Sequence, residues 1–266
     1  MKPNRLRQIW AEGGCVLNAF LSMPCPFAAE IMAAQGYDAL TVDIQHGIVD
    51  SQTTVAMFQA MLGNPVAPLA RVEWLDAGAV MKILDAGAQG LICPMVNTAE
   101  DAARLASWTR YPPSGIRSFG PSRAVFSMGA DYGDRADDEI VVFAMIETAE
   151  AMQNLDAIAR TPGIDGLYIG PADLTLGLTG RKYRTGFDRD EPEIVEAIQR
   201  ILAAAHAAGI KAALHCGTSD YAAQARDWGF DMVTISNDVR LMAGAAAASV
   251  QAFRKAAPVT SSKASY

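Results

Sequence analysis

No run of the 266-residue sequence approaches the ~18 consecutive apolar residues of a membrane span, so a membrane partner is not expected. The N-terminus, Met1-Lys2-Pro3-Asn4-Arg5-Leu6-Arg7, has no apolar stretch behind it that would make a signal peptide. There are four cysteines, Cys15, Cys25, Cys93 and Cys216, and no C-x-x-C pair. That spacing excludes a disulfide frame or a zinc ribbon and reads as reduced thiols of a cytoplasmic protein. Basic residues are in deficit, 22 Lys and Arg against 29 Asp and Glu, for a net charge of −7. With no basic face, nucleic acid is not an expected partner. No glycine-rich phosphate turn follows an early strand, which weighs against a doubly wound dinucleotide fold. Histidine is scarce too, with three in the chain, so the context of each one matters.

What is present is a chain 51% hydrophobic and 19% charged, of a size that suits one large α/β domain. Short β-rich runs alternate with alanine-rich helical segments. The runs predict strands at Val16–Met23, Ala39–His46, Ala67–Val72, Gly90–Met95, Ile140–Glu147, Gly166–Gly170, Ala212–Cys216 and Met232–Ser236. Each is followed by a helical segment, the last running to about Ala256. The strands are nearly continuous apolar runs, as in parallel sheets buried on both faces. Eight such units close into a (β/α)₈ TIM barrel, expected over residues 1–257. The Ser/Thr/Lys-rich residues 258–266 read as a disordered tail. Thr109 to Asp138, rich in Pro, Gly and Arg, reads as a long irregular segment, either a lid or solvated surface.

In such a barrel the chemistry belongs at the C-terminal ends of the strands. The stretch Val42-Asp43-Ile44-Gln45-His46-Gly47 brings an acid and a histidine to one of those ends. Three residues apart on a straight strand, Asp43 and His46 would face opposite ways, so a direct pair needs the bend that Gly47 permits. An Asp that orients an imidazole makes a base usable near neutral pH. A strand end with a surface histidine fits that stretch equally well. Arg71, Glu147, Asp173, His215 and Asn237 stand at or just beyond other strand ends. Glu147 and Asp173 are hard oxygen donors without Cys or His nearby, which suits Mg²⁺ or Mn²⁺. A salt bridge to Arg71 with no metal is the alternative. Gly170-Pro171-Ala172-Asp173-Leu174 reads as a turn into a short helix whose free amides make an anion site. His206, within Ala-Ala-His-Ala-Ala on a helix, reads as structural, and His215 as lining without a catalytic role. Arg110, Arg117 and Arg123 sit in the long segment and read equally as binding groups or as surface and subunit contacts.

Together these stretches resemble the HpcH/HpaI aldolase family of class II pyruvate aldolases, over nearly the whole chain. The carriers are Val42–Gly47, Ala70-Arg71-Val72, Leu84-Asp85-Ala86-Gly87-Ala88-Gln89-Gly90, Pro94-Met95-Val96, Tyr111–Arg117, Ile146-Glu147-Thr148 and Gly170–Leu174, in that order. The resemblance implies a barrel assembled as a homo-trimer or homo-hexamer. It implies a divalent metal ion (Mg²⁺, Mn²⁺ or Co²⁺) held by Glu147 and Asp173. Amides around Gly170, Ala172 and Asp173 would hold a 2-oxo-acid carboxylate, and Arg71 would stabilise the enolate. His46, oriented by Asp43, would be the acid/base, and Asp85 would act across a subunit interface near the neighbour's active site. Three positions depart from the family pattern: Met145 where Gln is usual, Gln45 where Glu is common, and Glu73-Trp74 where Pro-Trp follows the arginine.

The implied reaction joins pyruvate or a related 2-oxo acid to an aldehyde, or cleaves a 4-hydroxy-2-oxo acid in reverse. No Schiff-base lysine is required, and Lys82 and Lys211 do not stand at strand ends. Two rivals are a citrate-lyase-β or malyl-CoA type lyase, which performs the same enolate chemistry on a thioester, and a silent barrel that only binds a 2-oxo acid.

Overall fold

A computed structural model describes residues 1–255. The tail expected at 258–266 lies outside the described residues. Eight parallel strands close into a barrel in sequence order: β1 (Val16–Leu21), β2 (Ala39–Asp43), β3 (Ala67–Arg71), β4 (Gly90–Cys93), β5 (Val141–Ile146), β6 (Gly166–Ile169), β7 (Lys211–Cys216) and β8 (Met232–Asn237). β1 closes the ring by pairing with β8. Among the described residues, no helix is long and apolar enough to cross a membrane.

Two cores hold the barrel. The larger lies between strands and helices and includes Leu40, Val42, Ala70, Leu91 and Ile146. The smaller fills the interior with Val16, Phe20, Ala39, Ala67, Leu69, Phe143, Met145, Tyr168, Ala213 and Met232. The split follows the two-residue period of a strand, which sends alternate side chains to opposite faces. The same parity carries upward. On β2 it runs Ala39, Thr41, Asp43; on β3, Ala67, Leu69, Arg71; on β5 it continues past the strand to Glu147; on β7 it reaches His215. The inward-facing polar residues are therefore the top layer of the barrel interior.

The lower end is closed by a helix that the apolar pattern did not announce, α1 (Arg5–Ala11). Asn4 caps it, its side-chain oxygen accepting from Leu6 N–H at 3.0 Å. Leu6 is fully buried against the interior core, with Ile9 and Trp10 beside it. Trp10 Nε1 donates to the Asp231 carbonyl at 2.9 Å, pinning the plug to β8.

The helices α2 (Pro26–Ala33), α3 (Ser51–Met61), α4 (Ala77–Asp85) and α5 (Ala99–Thr109) follow the first four strands. The segment expected to be irregular instead holds two short helices, α6 (Ala124–Met128) and α7 (Tyr132–Glu139). Their apolar contacts, Ala124, Met128, Tyr132 and Ala136, are buried on the barrel wall. After β5 the helix is split at Asn154 into α8 (Ala149–Gln153) and α9 (Leu155–Ala159). Then come α10 (Pro171–Thr179), α11 (Pro192–Ala207), α12 (Ser219–Trp228) and α13 (Asp238–Lys255). The last helix is unlike the others. Asp238 is its one buried residue, while Leu241, Met242, Val250 and Phe253 are exposed.

Leu6→Ala should lower unfolding stability by about 2–5 kcal/mol, the cost of a cavity at a closed site. Urea denaturation checks this, and a loss under about 1 kcal/mol would show that α1 is peripheral to the barrel.

Candidate active site

The parallel register pairs Asp43 with Arg71, the last residues of β2 and β3. Both side chains are buried and point inward. Arg71 Nε donates to Asp43 Oδ1 at 2.9 Å, and Nη2 to Oδ2 at 2.8 Å. The guanidinium lies over the Phe20 ring, 4.9 Å from its centroid. One edge of the guanidinium is thus fixed, and among the described residues Nη1 has no partner. The structure corrects the expected pairing of Asp43 with the His46 imidazole. Asp43 accepts the backbone N–H of His46 at 3.2 Å, while its carboxylate is committed to Arg71. Asp43 therefore shapes the turn that carries His46 but does not fix the ring's tautomer.

That turn is also tighter than the sequence suggested. β2 stops at Asp43, and Gly47 N–H donates to the Asp43 carbonyl at 3.1 Å. A Cβ at Gly47 would lie 2.2 Å from that oxygen, so no other residue fits. His46 is left exposed at the cavity rim. Beside it the Gln45 side-chain oxygen is buried with no hydrogen-bond partner.

Glu147 stands just past β5 and is 3% exposed. Met95, held at φ 56°, donates its backbone N–H to Glu147 Oε1 at 2.8 Å. Gly170 packs against the other oxygen: a Cβ there would meet Met145 Cε at 2.6 Å and Glu147 Oε2 at 2.9 Å. Burial pushes the Glu147 pKa up to about 7; the Met95 bond opposes the shift, Asp173 adds to it, and Arg71 opposes it. Gly170 is the N-cap of α10, Pro171 is its first residue and Asp173 lies in its first turn. The amides of Ala172 and Asp173 precede the first intrahelical bond, from Leu174 N–H to the Gly170 carbonyl. Such amides and the helix dipole favour an anion.

Among the described residues no group of three or more His, Cys, Asp or Glu gathers as a metal site. Asp173 lines the mouth, and Glu147 is buried behind Gly170 rather than lining it. Two hard oxygens fit a Mg²⁺-type ion that takes its remaining positions from water and substrate. A buried Glu147 whose pKa is raised by burial and by a second carboxylate is an arrangement that a cation relieves.

His215, at 7% exposure, lines the same cavity. Its Nδ1 lies 3.1 Å from the Tyr168 hydroxyl, and its ring packs against Phe20 at 4.8 Å and Phe187 at 4.4 Å. The cavity at the mouth measures about 470 Å³ and also gathers Asp43, His46, Arg71, Gly170, Ala172 and Asp173. No lysine lines it. A smaller cavity of about 200 Å³ at the opposite end contains no acid and no histidine. Phe20, Ser22 and Phe187 were missed as lining residues. Strand parity signals Phe20 and Ser22, whereas Phe187 comes from a loop with no local signal.

Several expected residues lie elsewhere. Asp85 ends α4 at the lower face and accepts from Arg117 Nη2 at 2.7 Å, so within one chain it does not join the mouth. The arginines of the long segment are neither lid nor solvated surface. Arg117, 1% exposed, stacks on Tyr111 and Tyr132; Arg110 pairs with Asp165 at 3.0 Å; Arg123 donates to the Ala86 carbonyl. His206 pairs with Asp231 at 2.9 Å, a structural place as expected. Lys211 also bonds Asp231, at the start of β7, and Lys82 lies in the last turn of α4.

Residues 17–245 match the profile described as HpcH/HpaI aldolase/citrate lyase. The chain belongs to this family. A hydroxypyruvate/pyruvate aldolase of Rhizorhabdus wittichii is 40% identical over 243 residues, 91% of this chain and 96% of that protein. A 4-hydroxy-2-oxo-heptane-1,7-dioate aldolase of Shigella flexneri is 32% identical, spanning 98% of this chain and 97% of its own length. Among solved structures, an HpcH/HpaI aldolase/citrate lyase family protein from Burkholderia cenocepacia superposes with a TM-score of 0.84 at 32% identity, over 94% of this chain and 98% of its own. The HpcH/HpaI chain thus matches these relatives over nine-tenths or more of its length.

Two expectations follow for this family member. Arg71→Lys keeps a cation beside Asp43 but cannot hold that carboxylate and also present a second planar donor. It should melt close to wild type yet turn over at least ~10²-fold more slowly, as when one preorganised donor is removed. A variant that keeps its rate but melts far lower would make Arg71 scaffold alone. The second concerns pH. If Glu147 is a cation ligand it must lose its proton first, so affinity should be full well above pH 7 and fall towards ~10-fold per unit below it. Calorimetric Mg²⁺ or Mn²⁺ titrations between pH 5.5 and 8 check the slope, and a flat profile contradicts it.

Proposed function

We propose that the protein is a divalent-metal-dependent aldolase that adds pyruvate, or a related 2-oxo acid, to an aldehyde and reverses that addition. One observation carries this reading: the Asp173 carboxylate, free helix amides and an arginine with an open donor line one cavity, with the buried Glu147 carboxylate packed against Gly170 in its wall. Glu147 and Asp173 would hold Mg²⁺, Mn²⁺ or Co²⁺, which when bound supplies Lewis acidity to the 2-oxo acid. The Ala172 and Asp173 amides hold the substrate carboxylate. Arg71 Nη1, aimed by the Asp43 pair, donates to the ketone oxygen and binds it more strongly as enolate charge develops. His46, directly or through a water, takes a proton from C3. The enolate carbon then attacks the aldehyde carbon, and His46 returns the proton to the new alkoxide. Retro-aldol cleavage runs the same steps backwards. Met145, Phe20 and Phe187 give the wall an apolar part, which limits water beside the enolate.

The working form is a homo-oligomer, trimer or hexamer, in this reading. The exposed apolar residues of α13 support it, since a long helix with Leu241, Met242, Val250 and Phe253 in water needs a cover. Asp85, remote from its own mouth, then has a place near a neighbour's. The free cysteines suit a cytoplasmic location.

The test is cleavage of a 4-hydroxy-2-oxo acid before and after EDTA. Chelation should abolish it, and Mg²⁺, Mn²⁺ or Co²⁺ should restore it; full activity after exhaustive chelation would rule the mechanism out. His46→Ala should slow turnover by about 10²–10⁴-fold, the usual worth of a positioned base, with metal affinity near wild type. Wild-type turnover in that variant would move the proton transfer to another group.

A further inference from the structure

His215 is the one polar side chain on an otherwise aromatic stretch of the cavity wall, and its hydrogen bonding is directional. Asn18 Oδ1 accepts from Thr41 Oγ1 at 3.1 Å, and Asn18 Nδ2 donates to Thr234 Oγ1 at 2.9 Å. Tyr168 donates its hydroxyl proton to the same Thr234 oxygen at 2.8 Å. A phenol has one proton to donate. With that proton on Thr234, the Tyr168 oxygen is left to accept from His215 Nδ1 at 3.1 Å. In that arrangement Nδ1 carries hydrogen and Nε2 presents a lone pair. Among the described residues Nε2 has no partner, and Phe20 and Phe187 hold the ring from two sides.

Burial, reinforced by the Arg71 charge, pulls the His215 pKa down to about 3, so the imidazole stays neutral throughout the working range. A neutral acceptor set among aromatic rings suits one kind of group. It takes a hydroxyl proton, it gains nothing from a methyl or hydrogen, and it repels a carboxylate. A cavity that supplies such an acceptor discriminates against the analogue lacking the hydroxyl, because the acceptor is then left buried and unpaired.

We propose that His215 Nε2 accepts a hydrogen bond from a hydroxyl group on the substrate and so makes the enzyme selective for hydroxylated substrates. This rests on the aldolase reading above. The hydroxyl has two possible sources, the C3 hydroxyl of a 3-hydroxy-2-oxo acid or the C2 hydroxyl of a small hydroxyaldehyde. Tyr168 is a positioning residue for it, since it fixes the tautomer without reaching the cavity.

The experiment measures kcat/KM with Mg²⁺ for four pairs: pyruvate or hydroxypyruvate, each with acetaldehyde or glycolaldehyde. Wild type, His215→Phe and Tyr168→Phe are compared, with melting temperature recorded for each. Wild type should favour the hydroxylated member of one substrate pair. His215→Phe should cut that preference at least ~10-fold, as expected when a site loses the group that reads a hydroxyl. The arm in which the preference collapses identifies which substrate carries the hydroxyl. Tyr168→Phe keeps the imidazole and removes only the oxygen that sets its tautomer; it should lower the same preference and decides the matter if His215→Phe does not fold. Wild-type preferences retained in the folded variants, or no preference in wild type, overturn the proposal. Methyl deuteration of pyruvate in D₂O is followed in parallel. Its absence in metal-loaded wild type would overturn the aldolase reading and this proposal with it, whereas its presence with unchanged preferences overturns this proposal alone.

Discussion

The ion pair between Asp43 and Arg71 is the constraint on which the mouth depends. Two charges that sit 2.8–2.9 Å apart, nearly out of water, are costly to desolvate and tolerable only as a pair. The parallel register of β2 and β3 supplies the pair without any loop, since the two residues are Cα partners at the ends of their strands. The edge of Arg71 that Asp43 occupies is lost to substrate. The remaining donor is thereby aimed, because Nε and Nη2 leave the guanidinium plane no freedom to turn. The two roles foreseen for this arginine, structural partner and donor to substrate, are compatible on one planar group.

Among the described residues, the other two carboxylates near the mouth have no salt-bridge partner. Glu147 is buried on a strand end with one oxygen held by an amide and the other pressed against a glycine. Asp173 enters from the first turn of α10, next to amides that attract negative charge. The cavity that these groups border measures about 470 Å³, a volume suited to two small molecules together. Rigid strand ends carry most of these groups, and His46 and Phe187 come from the connecting segments. The ion pair and Glu147 are thus placed on the scaffold, while His46 depends on the turn that Asp43 and Gly47 fix.

Eight apolar runs, each followed by a helix, made the barrel legible, and the polar residue ending each run pointed to the mouth. Strand parity could have gone further, since the two-residue period runs from the interior core straight to Asp43, Arg71, Glu147 and His215. The partner of Asp43 was not legible, because Arg71 lies 28 residues away and only the register joins them. His46 was the nearer candidate in sequence and the wrong one for the carboxylate. The plug helix α1 was missed because seven residues carry too few apolar positions to show a period. The helices within 109–138 were missed for the same reason. The Asp85–Arg117 contact joins a helix end to a remote segment, which no local pattern announces.

The most direct test of the pair's role is Asp43→Asn, which keeps the shape of the side chain and removes the charge that orients Arg71. Pyruvate in D₂O with Mg²⁺ and no aldehyde is followed by NMR, alongside metal affinity and melting temperature. If the pair aims the arginine, the variant folds and binds metal, yet its methyl deuteration is at least ~10²-fold slower than wild type, as for loss of a preorganised donor to developing charge. Deuteration at the wild-type rate would show that Arg71 meets the enolate without Asp43, and would contradict the dependence of the mouth on this ion pair.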